Sequence, residues 1–162
     1  MGWEQIQNTG TQLIQILKDN QPTSDIQTST CNAVPKVEDW QNLGGGTPTA
    51  AKGRAIRSIS PLGFTNVKCD IVINYQYGAT YKGGGAFIPA CWVSLPEGAE
   101  VATFYHVEAK LNVISLGNVG DGNRPIAQLT VQLVSRWWNL TNSYPETKNY
   151  DFFGDGRAPR IY

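Results

Sequence analysis

The feature that most restricts this chain is a hydrophobic period of two. Val67, Cys69, Ile71, Ile73 and Tyr75 alternate with Lys68, Asp70 and Asn74, interrupted only by Val72. Val101, Thr103, Tyr105, Val107, Ala109, Leu111 and Val113 form a second set, with Glu100, His106, Glu108, Lys110 and Asn112 between them. Ala127, Leu129, Val131, Leu133 and Trp137 form a third, alternating with Gln128, Thr130, Gln132 and Arg136. Successive side chains on a strand point to opposite faces, so each set predicts a half-buried β-strand with its odd-numbered residues inward. The second set is long for one strand and predicts a bend or bulge. Residues 86–95 are apolar on both faces, which predicts a strand covered from two sides.

Between these runs lie turn signals: Gly83-Gly84-Gly85, Pro96-Glu97-Gly98 and the loop from Gly117 to Pro125. Long antiparallel strands joined by such turns predict a mainly β fold, an antiparallel β-sandwich or jelly-roll-like domain over residues 56–138. A length of 162 residues suits one domain and is enough to bury a substantial core.

The flanking segments follow other patterns. In residues 1–20, Trp3, Ile6, Gly10, Leu13 and Leu17 fall at spacings of three and four, with Ile14 beside them. That stripe predicts an N-terminal amphipathic helix. Thr9-Gly10-Thr11 is poor helix material, so the helix would need something to pack on. Residues 21–55 are rich in Thr, Pro and Gly and read as an extended arm, anchored by Val34, Val37, Trp40 and Leu43. Residues 139–162 read as an aromatic-rich C-terminal tail carrying Tyr144, Tyr150, Phe152, Phe153 and Tyr162. Helix, arm and tail are expected to reach neighbouring chains. The candidate interface residues are Trp3, Ile6, Leu13, Leu17, Trp40, Trp138, Phe152 and Phe153. Trp137 and Trp138 are adjacent on a strand, so one faces the core and the other faces out.

Catalytic and metal chemistry is sparse in the sequence. His106 is the single histidine, and it shares the polar face of its strand with Glu108. There is no G-x-S-x-G elbow, H-E-x-x-H, Walker A or G-x-G-x-x-G motif. The loop 117–123 carries one carboxylate, Asp121, where a calcium loop uses several. Asp151 and Asp155 flank Phe152-Phe153-Gly154, a weak candidate pair for a cation or a sugar. No catalytic residue, cofactor or metal ligand is therefore expected. Cys31, Cys69 and Cys91 form neither a zinc pattern nor a disulfide framework. They read as small buried hydrophobes, or as a Cys69–Cys91 bridge if a hairpin turns near Thr80.

Lys plus Arg and Asp plus Glu are 13 each, and charged residues make up only 16%. That balance disfavours a nucleic-acid footprint or a polybasic membrane patch. No leader with a basic start and an apolar core is visible, nor a run of ~18 apolar residues. In plan, an amphipathic helix ahead of a sandwich with a tryptophan pair resembles the actinoporin-like pore formers, though the helix lacks their basic flank. The leading expectation is a non-enzymatic structural subunit of a symmetric assembly, a virion, phage-particle or extracellular component, contacting copies of itself or other subunits. The alternative is a secreted binding module or toxin-like protein that recognises glycans or a membrane surface.

Overall fold

Leu129, Val131 and Leu133 are each at most 1% exposed, so the third alternating set is a core-facing strand. The computed structural model describes residues 5–10, 13–18, 21–22, 31–40, 43, 52–58, 71–94, 106–138 and 143–162. In chain order the strands are β1 (Ile6–Gln7), β2 (Leu13–Lys18), β3 (Gln21–Pro22), β4 (Cys31–Pro35), β5 (Lys52–Ser58) and β6 (Ile71–Tyr77). They continue with β7 (Ala79–Tyr81), β8 (Gly84–Ser94), β9 (His106–Asn118), β10 (Ala127–Trp138), β11 (Ser143–Phe153) and β12 (Arg160–Ile161). The described chain is mostly β, and its paired strands run antiparallel.

Two six-stranded sheets result. One runs β1-β4-β8-β6-β5, with β7 also on β8; the other runs β12-β11-β10-β9-β2-β3. Ile73, Tyr75 and Val93 from the first sheet share one buried cluster with Leu111, Leu129, Val131 and Phe152 from the second. The Tyr75 and Phe152 rings meet across the sheets with centroids 4.4 Å apart. Such tilted aromatic pairs add about 0.5–1.5 kcal/mol beyond area burial.

The expected irregularity in the long strand is a bulge. Thr130 pairs with Ser115 and Val131 with Val113, which leaves Ile114 unpaired. The extra residue switches the alternation, so Leu111, Val113 and then Leu116 point to the core. Strand β8 matches its apolar-on-both-faces pattern: adjacent Phe87 and Ile88 are both fully buried.

The flanks differ from expectation. The described residues contain no helix: Ile6–Gln7 and Leu13–Lys18 are strands. The Asn8 side chain accepts a hydrogen bond from Gly10 N at 3.1 Å, turning the chain where Gly10 already weakens a helix. The run Leu13-Ile14-Gln15-Ile16-Leu17 is short and apolar enough to serve as a strand, and it pairs with β9 from Leu111 to His106. Removing the helix also removes the plan that resembled actinoporin-like pore formers.

The arm, where described, folds onto its own chain. All five residues of β4 are buried between β1 and β8, and Trp40 packs against the core. Buried Asn32 is satisfied there: it accepts from Thr9 N at 2.9 Å and donates to Thr9 Oγ1 at 2.8 Å. The tail is likewise a full strand, β11, paired with β10 along its whole length. Glu146 and Lys148 occupy positions whose neighbours Tyr150 and Phe152 face the core, and that break in apolar spacing hides the strand in the sequence.

The hairpin turns at Lys82-Gly83, not near Thr80. Both residues have positive φ, 49° and 77°, as a tight two-residue loop requires. This register sets Cys91 opposite Tyr75 on one side and Cys31 on the other. Cys69 lies outside the described residues.

Candidate functional site

Of the expected interface residues, four have described side chains, and all four pack within the chain. Ile6 and Trp40 pack partly buried against the core. Phe152 is in the core, and Phe153 is 1% exposed. Leu13, Leu17 and Trp138 lie on β2 and β10, where only their backbone register is described. Trp3 is outside the described residues. Asp151 and Asp155 do not converge. Asp151 is buried and accepts from Thr130 Oγ1 at 2.8 Å and from the Tyr162 hydroxyl at 3.2 Å. Asp155 is exposed and forked onto Arg157, with Nε–Oδ2 at 2.9 Å and Nη2–Oδ2 at 2.6 Å. The Arg157 guanidinium holds the Asp155 carboxyl below its ordinary range. Among the described residues no group of three His, Cys, Asp or Glu side chains is placed to hold a metal ion, and no helix is long and apolar enough to cross a membrane.

Two surfaces stand out instead. The first is the outward face of the second sheet. Alternation along β10 and β11 sends Leu129, Val131, Tyr150 and Phe152 inward, so Gln128, Thr130, Gln132, Asn149, Asp151 and Phe153 face out. One row across the sheet reads Asn112, Gln132, Asn149 and Tyr162. The next reads Ser115, Thr130, Asp151 and Arg160, and the third Gly117, Gln128 and Phe153. The only charged residues in these rows are Asp151, which is buried, and Arg160. Ile114 at the bulge is 54% exposed and Tyr162 is 64% exposed, so apolar and aromatic surface flanks the amides. Phe153 is roofed by the guanidinium groups of Arg157 and Arg160, 5.2 and 5.5 Å from its ring centroid. This cation–π cover explains why an outward aromatic is buried.

The outer edge of this sheet is guarded. Asn149 exchanges both backbone hydrogen bonds with Tyr162, so its N–H and C=O point away from β10. Pro145, four residues earlier, has the same orientation and offers that edge no donor. Extension of the sheet by another strand is thereby blunted at β11.

The second surface is an open cleft of about 430 Å³ between the hairpin backbone 83–86 and the loop 123–126, walled by Asp155. The loop is fixed from within. Asn118 Oδ1 accepts from Gly120 N and Ile126 N, both at 2.9 Å, and Asp121 Oδ1 accepts from Asn123 N and Arg124 N at 2.8 and 2.7 Å. Asp121 thus works as a turn former, as its lone position in the sequence implied. The cleft floor is joined across the sheets by Ala86 N donating to Pro125 O at 2.9 Å. Its chemistry is hydrogen bonding from backbone groups, the Asn123 amide and the exposed Arg124. Neither surface is marked in the sequence by a motif. The amide-rich face is visible only as the polar half of the β10 alternation, and the cleft arises from loops 40 residues apart that the fold brings together. Comparison with known proteins finds no matching family model, no similar curated protein and no similar solved structure.

Proposed function

We propose that this chain is a non-enzymatic structural subunit, a β-sandwich or jelly-roll-like domain that packs against other copies of itself in a virion or extracellular assembly. The observation that carries this reading is the patch of the second sheet's outward face from Gln128 to Gln132, whose three rows are rich in neutral amides and hydroxyls and carry a buried Asp151, with the exposed charges of Arg136, Arg157 and Arg160 at its margins. Depletion of charge, with aromatic and apolar side chains, marks interface cores more consistently than bulk hydrophobicity does. The zero formal charge of the chain supports self-association, because copies do not repel at long range. With the helix absent from the described residues and the described arm and tail strands built into the chain's own sheets, the contact is face to face rather than through exchanged arms.

The test is charge insertion. Gln132→Arg places a cation at the centre of the face without touching the core. Wild-type protein should elute as an oligomer in size-exclusion chromatography and the variant as a monomer with unchanged circular dichroism. Equal elution of the two would refute the assignment of this face.

A second reading, a secreted module for glycans, is favoured by the cleft, whose backbone groups, Asn123 and Arg124 suit hydroxyl-rich ligands. A glycan-array signal lost in Arg124→Ala and kept in Gln132→Arg would select this reading over the first.

A further inference from the structure

We propose that Cys31 and Cys91 form a dithiol site that a low-molecular-weight disulfide oxidises to an intramolecular disulfide, stapling β4 to β8. The two residues are direct partners in the antiparallel register. Opposed Cα atoms in such a pair lie about 4.5 or 5.5 Å apart, and both spacings fall within the range a disulfide accepts. Each thiol is buried and unbridged, Cys31 at 3% and Cys91 at 0% exposure. The Cys31 thiol donates to the Cys91 carbonyl oxygen at 3.5 Å, so its sulfur already lies over the partner strand.

The pair is also chemically unequal. The hydrogen bond from the Cys91 thiol lowers the Cys31 thiol below its ordinary value. That same bond, and burial, raise Cys91. The lower value makes Cys31 the better attacking sulfur once opening of β4, or the folding chain, admits the small disulfide. Its thiolate adds to the small disulfide RSSR and releases one RS⁻, giving a mixed disulfide. Cys91 then loses its proton, attacks the Cys31 sulfur and releases the second RS⁻. Two protein thiols are oxidised, one RSSR is reduced, and the two protons end on two RSH. The link closes a loop across a separation of 60 residues. It fastens β4, and with it the Asn32–Thr9 hydrogen bonds that hold the segment 8–10. A hairpin centred near Thr80 would have set Cys69 opposite Cys91, but the observed turn lies about three residues later and sets Tyr75 there.

The experiment is refolding of the full chain from denaturant in a buffer of oxidised and reduced glutathione, followed by alkylation in denaturant and peptide mass spectrometry. The expected product carries a 31–91 cross-linked peptide, with Cys69 alkylated. Against the reduced protein its melting temperature should rise on the order of 10 °C. Alkylation of both Cys31 and Cys91, glutathione left on either one, or a link from either to Cys69 would overturn the proposal. The Cys69→Ser variant repeats the measurement with only the two proposed partners present. Two free thiols after its refolding in the same buffer would be equally decisive against it.

Discussion

Gly154→Ala should be among the most damaging single-methyl changes in this protein. Gly154 directly follows β11, at the point where the second sheet touches the β7–β8 hairpin of the first. A Cβ there would sit 2.1 Å from the Ala86 carbonyl oxygen and 2.9 Å from Phe87 N, both backbone atoms that no rotamer change can move. Relief requires the two segments to separate by more than an ångström. Gly154 N donates to Ala127 O and Gly78 N donates to Gly154 O, each at 2.8 Å, and both bonds would stretch with it. Overpacking costs about 1–3 kcal/mol and each lost hydrogen bond about 0.5–1.5 kcal/mol. The sum is roughly 2–6 kcal/mol, which for a chain of this size lowers the melting temperature by about 5–20 °C. Thermal unfolding followed by circular dichroism measures it. A melting temperature within 2 °C of wild type would show that the sheets do not meet through this seam.

Leu129→Ala, at a fully buried position between the sheets, should cost about 2–5 kcal/mol in urea unfolding, and a loss under 1 kcal/mol would place Leu129 outside the core. Asn32→Ala strands the Thr9 N–H in a part-buried site and should cost about 1–3 kcal/mol; no change would mean that the segment 8–10 is not held by β4. Arg157 holds Asp155 below its ordinary value of about 3.8, so the pair's stabilisation is complete above that pH and is lost as pH falls through the lowered value. Asp155→Asn should therefore cost ~1 kcal/mol or less at neutral pH, as for an exposed pair, and nothing once the pH is below the lowered value, so the acid limb flattens by that amount; an acid limb identical to wild type would remove the linkage.

The strands with undisturbed alternation were legible in the sequence. The set from Ala127 to Leu133 is buried as its pattern demands, and the overlong strand carries the bulge that its length required. The N-terminal segment was misread because Leu13-Ile14-Gln15-Ile16-Leu17 satisfies a helical stripe and a short strand equally. Pairing with β9 decides it, and that partner is about a hundred residues away. Strand β11 was hidden for a different reason. The positions in step with its core-facing Tyr150 and Phe152 include the partly exposed ion pair Glu146 and Lys148, and its outward Phe153 is buried by guanidinium cover rather than by the core. The amide-rich face could be read residue by residue as polar, but its charge depletion is a property of three strands side by side. Register alone assembles it. Cys31 and Cys91 are buried as small apolar residues, and the conditional Cys69–Cys91 bridge falls by the same rule, since a hairpin centre displaced by three residues replaces Cys69 with Tyr75.

The central claim, self-association through the outward face of the second sheet, is tested most directly by multi-angle light scattering on wild-type protein over a hundredfold range of concentration. The account predicts a mass that rises with concentration to a fixed multiple of 17.8 kDa and is held at one copy by Gln132→Arg. A wild-type mass of one copy throughout that range would contradict it.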